Sequence, residues 1–301
     1  MPRSTVGIRI SGTALCALLL ALLGHNAHAQ QRNQTASIDP PKRIVAKRLE
    51  APSRVEVTEG HPLASLVKYA RDEQAYLRST LRDFTCRVAK RERIEGDLQP
   101  LHHIQLEVRE EVRQGNRVVQ PFSVYGEFLA PAKVAGRKVL YVDGQNEGKM
   151  LVRNGGKRFN YVVVEIDPYS PTALKESQIP ITEIGFNKML DRLIYLLEKH
   201  MDLDPTGANT KLEKFVKAKI NGRICTVVRV THPEKRDGLD FHVANVYVDD
   251  ELHVPVRLDA SGWPEKAGEE PPLEAEYTYT NLRLNVGLSD AHFDPKRVRG
   301  R

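Results

Sequence analysis

Histidines, clustered carboxylates and three cysteines are the side chains from which a reactive site would have to be built. His102 and His103 are neighbours in a segment of strand-like alternation. Their imidazoles therefore leave opposite faces and cannot share one metal ion. His232, His242 and His253 fall on successive segments that could converge, and three imidazoles would suit an open zinc-type centre. Such a centre also needs groups that orient each ring, and the sequence marks none, so no metal ligands are assigned. Asp249-Asp250-Glu251 lies at a tip between two strand-like segments, where aspartates serve turn geometry. Lys90-Arg91-Glu92-Arg93 is mixed in sign and reads as a surface ion-pair ladder on a strand face. The GxSxG elbow, the HExxH helix, the phosphate-cradling GxxxxGK[ST] loop and the dinucleotide glycine pattern are all missing. No catalytic residue, cofactor or enzymatic activity is expected.

Cys86 and Cys225 are separated by a long stretch of chain, and no CxxC pair exists. In an oxidising compartment they could form one disulfide; two separate buried thiols are the other reading. Trp263, in Ser261-Gly262-Trp263-Pro264, is the single tryptophan. It is a candidate lid over a cavity or a plug at the edge of the core.

These residues need elements to hold them. Leu63, Leu66, Val67, Ala70, Gln74, Leu77 and Leu81 form one stripe of a 3.6-residue period, which predicts a helix over 62–82. Ile184, Met189, Leu190, Leu193, Ile194 and Leu197 predict a second over 181–200. Period-two alternation predicts strands at 84–94 and 104–112, then at 122–129, 137–143, 149–153 and 158–166. Strands resume at 212–220, 223–231, 241–248, 253–259 and 274–286. In the last, Thr278, Thr280, Leu282, Leu284 and Val286 share one face, and Tyr277, Tyr279, Asn281, Arg283 and Asn285 the other. The expected fold class is α+β. About ten or eleven antiparallel strands form a strongly curved half-barrel, with two main helices on its concave face.

The chain has 301 residues, 41% of them hydrophobic and 28% charged, which excludes disordered and collagen-like classes. Its 45 basic and 39 acidic residues are interspersed, with no concentrated basic face, so no nucleic-acid partner is expected. Residues 1–29 read as a secretory signal peptide: Arg3 and Arg9 precede an apolar run at 14–23, and Ala27-His28-Ala29 supplies the cleavage site before Gln30. The run is about half the ~20 residues that span a bilayer. A secreted or periplasmic chain without a transmembrane segment is therefore expected after cleavage. Residues 30–60 read as a flexible basic linker, 61–295 as a single domain and 296–301 as a loose basic tail.

Several phrases resemble a known family. Residues 128–144 (FLAPAKVAGRKVLYVDG), 246–257 (VYVDDELHVPVR) and 288–295 (LSDAHFDP) are similar to hairpins and the C-terminal close of outer-membrane lipoprotein-sorting proteins. KRERI at 90–94, YVDGQNEGK at 141–149, PITEIG at 180–185 and YTYTNL at 277–282 resemble the DUF1571 family over roughly residues 61–295. The resemblance implies a LolA/LolB-like half-barrel, whose relatives hold acyl chains or bind periplasmic peptides, and it transfers no catalytic residue. The chain departs from lipid-anchored relatives in lacking a lipobox, since Leu15 precedes Cys16.

The leading functional expectation is thus a non-enzymatic carrier of lipid or lipoprotein acyl chains. Phe84, Val88, Leu106, Val108, Phe128, Val139, Tyr141, Leu282 and Leu284 are its candidate cavity lining. An envelope protein-binding or sensor module is the alternative, and a secreted metal-dependent hydrolase the third reading.

Overall fold

The apolar stripe of residues 62–82 becomes helix α1 (Ala64–Thr80), which buries Val67, Ala70 and Leu77. The computed structural model describes residues 60–156, 160–266 and 268–300, within a unit spanning Lys47–Arg301. The expected signal peptide and almost all of the expected linker lie outside the described residues.

After α1 come β1 (Asp83–Ile94), β2 (Asp97–Leu98), β3 (His102–Arg109), β4 (Val112–Gln114), β5 (Arg117–Gln120), β6 (Ser123–Ala130), β7 (Lys138–Val142), β8 (Met150–Arg153) and β9 (Val163–Ile166). A short helix α2 (Pro171–Leu174) and the long α3 (Phe186–Leu203) follow. The chain continues through β10 (Lys211–Ile220), β11 (Arg223–Thr231), β12 (Val243–Asp249), β13 (Pro255–Ser261) and β14 (Leu273–Leu284), and ends with α4 (Lys296–Arg299). Twelve of the described strands form one sheet, ordered β10-β11-β12-β13-β14-β1-β3-β6-β7-β8-β9, with β2 attached to β1. Every pairing is antiparallel, as short connections demand. The first and last strands meet in the middle, so pairing of β1 with β14 zips the two halves of the chain together. β4 and β5 form a separate hairpin, absent from the sequence-based reading because it is short and polar.

Alternation sets the dry face. Phe84, Cys86 and Val88 of β1 stand opposite Val108, Leu106 and Ile104 of β3. They share one core with Leu63, Val67 and Leu77 beside the first helix and with Phe186, Leu190, Ile194 and Leu197 of α3. Aromatic contacts pin α3 to the sheet, with Phe186 at 4.6 Å from Phe84 and 5.7 Å from Tyr279 between ring centroids. The start of α3 is fixed from across the structure. The buried Glu110 carboxylate accepts hydrogen bonds from the backbone N–H groups of Phe186 (2.9 Å) and Asn187 (3.4 Å), where the free donors of a helix start favour negative charge. Burial pushes the Glu110 carboxyl upward, against these hydrogen bonds. Gly185 has φ 126°, and a Cβ there would meet Glu110 Oε1 at 3.0 Å, so glycine alone fits.

The C-terminal end corrects the sequence-based reading. Residues expected as a loose tail form α4, whose Val298 is fully buried with Phe293 and Leu288 against Tyr125, Leu140, Val142 and Leu151. Arg297 forks onto both oxygens of Glu107 and lies over the Tyr125 ring at 3.8 Å. Net charge suggested solvent, but Val298, with Phe293 and Leu288 before it, covers the second face of the sheet.

Of the two readings of Cys86 and Cys225, the structure has two separate thiols, both free and buried, and not the disulfide. Cys86 is on β1 and Cys225 on β11, with β12, β13 and β14 between them. Four steps of about 4.8 Å place them roughly 19 Å apart along the sheet, whereas a disulfide needs Cα atoms within about 7 Å. Burial raises the Cys86 thiol to about 12 and the Cys225 thiol to about 11, which leaves both as protonated core residues.

Candidate functional site

The dry face is not filled along its whole length. Beyond the packed contacts of α1 and α3 lies a cavity of about 600 Å³. Nine strands contribute to its wall: β1, β3, β6, β7, β8, β9, β12, β13 and β14. Met189, Arg192, Leu193 and Leu196 of α3 line another side. The rest is closed by the connection between β9 and α3, from Pro168 to Gly185, which contains α2. Most of the lining is aliphatic, including Val88, Ile104, Leu106, Val139, Met150 and Val152. Gly126 keeps the floor low, because a Cβ there would meet Val139 at 3.0 Å and Leu106 at 3.2 Å.

One polar cluster interrupts this wall. Alternation along β1 carries Val88, Lys90 and Glu92 to the same side, and their side chains reach the cavity. Glu92 is 2% exposed and Lys90 13%, with Lys90 Nζ at 3.0 Å from Glu92 Oε2. The Tyr277 hydroxyl donates to Glu92 Oε1, and the Gln178 backbone N–H donates to Oε2 at 3.2 Å. Lys90 also donates to Ser177 Oγ at 2.7 Å. Burial, and then the charge of Glu92, hold the Tyr277 phenol well above its ordinary range. The cluster therefore ties the closing segment to the sheet. Gln178 Nε2 adds a bond to the Arg93 carbonyl at 2.6 Å. Arg137–Glu176 and Arg192–Glu183 pair further round the wall.

This corrects the ladder expected at 90–93. Arg91 and Arg93 do form cross-strand pairs, with Glu276 and Glu274. Lys90 and Glu92, on the opposite face, belong to the cavity. Of the predicted lining residues, Val88, Leu106, Phe128 and Val139 border the cavity. Phe84, Val108 and Tyr141 are buried in the core and do not reach it. Leu282 and Leu284 pack on the core, with Leu284 paired to Phe84 at the filled end. Trp263 is no lid: its indole N–H donates to the His232 carbonyl at 3.0 Å, and it does not border the cavity.

The three histidines do not converge. His232 bonds through Nε2 to His200 Nδ1 at 2.9 Å, His242 donates Nδ1–H to the His232 carbonyl at 2.8 Å, and His253 lies edge-on to Tyr76. Among the described residues no group of three His, Cys, Asp or Glu side chains could hold a metal ion. His200 and His232 are fully buried, and His200 Nε2 lies 3.0 Å from Asp240 Oδ2. Burial lowers both imidazoles, taking His232 to about 4, while Asp240 opposes the shift at His200. Asp249, in the acidic run, accepts from Arg223 and from the backbone N–H groups of Glu251 and Leu252, a turn-forming role.

The sheet, the segment across it and the largely aliphatic wall define an α+β protein with an apolar cavity on one face of its sheet. The chain belongs to the DUF1571 family, described as proteins of unknown function, whose model matches residues 81–299. No curated protein matches it by sequence. Among solved structures it is similar to a DUF1329 family protein from Desulfovibrio piger (15% identity, 77% of this chain and 98% of that one, TM-score 0.38). A LolA superfamily protein from Nitrosomonas europaea matches at 11% identity over 75% and 96% of the two chains, with TM-score 0.32. Lipoprotein LppX from Mycobacterium tuberculosis matches at 14% identity over 75% and 98%, with TM-score 0.38. Among the described residues no helix is long and apolar enough to cross a membrane.

Proposed function

We propose that this protein is a non-enzymatic carrier that shelters an acyl chain, from a lipid or a lipoprotein, inside the cavity. The observation that carries the reading is the volume of about 600 Å³ left beneath an ordered closing segment, in a wall that is largely aliphatic. At roughly 30 Å³ per water-sized group, that is room for on the order of 20 carbon atoms. Each buried methylene contributes about 0.8 kcal/mol. Part of that sum is lost to ordering the chain.

The reading includes a sheet that curls around its ligand as a half-barrel, supported by the nine strands that border one chamber. It includes export as well, with cleavage between Ala29 and Gln30, supported by the basic, apolar and small-residue order of residues 1–29.

The test is native mass spectrometry of the exported protein, purified without detergent, followed by organic extraction. The expected result is a stoichiometric adduct that yields acyl chains. An apo mass, together with no uptake of added monoacylglycerol, would overturn the proposal.

A further inference from the structure

The charges around the cavity say which end of an acyl chain it tolerates. Among the described residues, Lys90, Arg137 and Arg192 are the lysine and arginine side chains that border it. Each is already paired with a carboxylate that also borders it: Lys90 with Glu92 at 3.0 Å, Arg137 with Glu176, and Arg192 with Glu183 at 3.0 Å. Three further carboxylates border the cavity and take their cations from outside it. Asp240 is held by Lys199 at 2.8 Å, Asp259 by Arg257 at 3.2 Å and Glu274 by Arg93 at 3.5 Å. The described lining therefore holds twice as many carboxylates as cations, and no described lining cation is left to neutralise an added anion.

The location of the pairs matters. Lys90 and Glu92 are the most buried and Asp259 is 16% exposed, whereas Glu176, Glu183, Asp240 and Glu274 are each about a third or more exposed. A free fatty acid meets a used cation if its head points inward and a run of carboxylates if its head points outward. Inward, its charge is poorly solvated and finds no free cation; outward, it meets the repulsion of like charges at the rim. An uncharged ester or amide meets no such penalty. Its carbonyl can accept from Lys90, which has three donors and spends two on Glu92 and Ser177.

The geometry points to a ligand class: acyl chains in ester or amide linkage, with free fatty acids rejected. This rests on the carrier reading above and narrows it.

The experiment compares three ligands of one chain length on the delipidated full-length mature protein by isothermal titration at pH 8. They are 1-palmitoylglycerol for an ester source, N-palmitoylglycinamide for an amide source, and palmitate. At least one neutral ligand should bind about tenfold or more tightly than palmitate. Glu176→Gln, which frees Arg137, should raise palmitate affinity by about tenfold relative to the neutral ligands measured on the same variant. Glu92→Gln frees Lys90 and should act in the same direction. The more exposed Glu176→Gln keeps the test decisive if the buried variant does not fold. Palmitate binding as tightly as both neutral ligands would overturn the inference while leaving the carrier reading intact. Binding of none of the three would remove both. The better of the two neutral ligands tells a lipid source from a lipoprotein one.

Discussion

The two ends of one sheet face are built on opposite terms. At one end Phe84, Val108, Leu77 and Phe186 are fully buried and in contact, closed by α1 and the start of α3. At the other, equally apolar strands face about 600 Å³ of space beneath the segment from Pro168 to Gly185. Composition does not separate them, since valine and leucine dominate both. What differs is the cover. A helix with a 3.6-residue apolar stripe interdigitates with a pleated sheet. A proline-bearing connection held by polar bonds to β1 spans the sheet without filling it.

That contrast assigns stability to the filled end and binding to the hollow one, and mutations can separate the two. The largest loss of stability is expected from Phe84→Ala, at about 3–5 kcal/mol by denaturant unfolding, with no direct effect on cavity contacts. A loss below 1 kcal/mol there would break the contrast. Glu110→Ala is next. It removes the carboxylate that accepts from the first N–H groups of α3 and leaves buried donors unpaired, at about 1–3 kcal/mol. Glu110→Asp, a shorter carboxylate, should recover only part of this.

Acidification should also lower stability, through His200 near the end of α3 and His232 beside it. Their folded-state values are lowered below the ordinary 6.5, so the unfolded chain takes up protons that the folded chain refuses. Stability present above about pH 6.5 is then lost as pH falls toward about 4, and His232→Gln should flatten that part of the melting-temperature profile. The smallest stability effect belongs to the hollow end. Met150→Ala should cost about 1 kcal/mol or less, because its side chain borders space, while it weakens ligand binding more visibly.

The filled end was the legible one. The stripe from Leu63 to Leu81 and the alternation of Phe84, Cys86 and Val88 are direct images of helix and strand periods, and both survive in the structure. The hollow end was legible only in its strands. Val88, Leu106, Phe128 and Val139 could be placed on a dry face, but the closing segment has no period to read. β14 shows a subtler failure. Strict alternation groups Leu282 and Leu284 with Thr278 and opposes them to Tyr277 and Tyr279. In the structure all four of the apolar and aromatic residues pack on one core. Asn281 adopts φ 52°, and the register with β1 shifts between Thr85 and Arg87, so a bulge inverts the phase midway. Tyr277 and Tyr279, assigned to the other face, are the ones that border the cavity. Lys90 and Glu92 were hidden for a related reason: neighbouring charges on a strand look alike in sequence, and only the pleat divides them into outer ladder and inner pair.

The most direct measurement is a calorimetric titration of 1-palmitoylglycerol into the wild-type protein and Ala275→Phe, a variant that places a ring in the hollow end without touching the filled one. The wild type should bind one equivalent, and the variant should melt near the wild-type temperature while losing binding. Equal binding by both proteins, or none by the wild type, would contradict a ligand chamber at that end of the sheet.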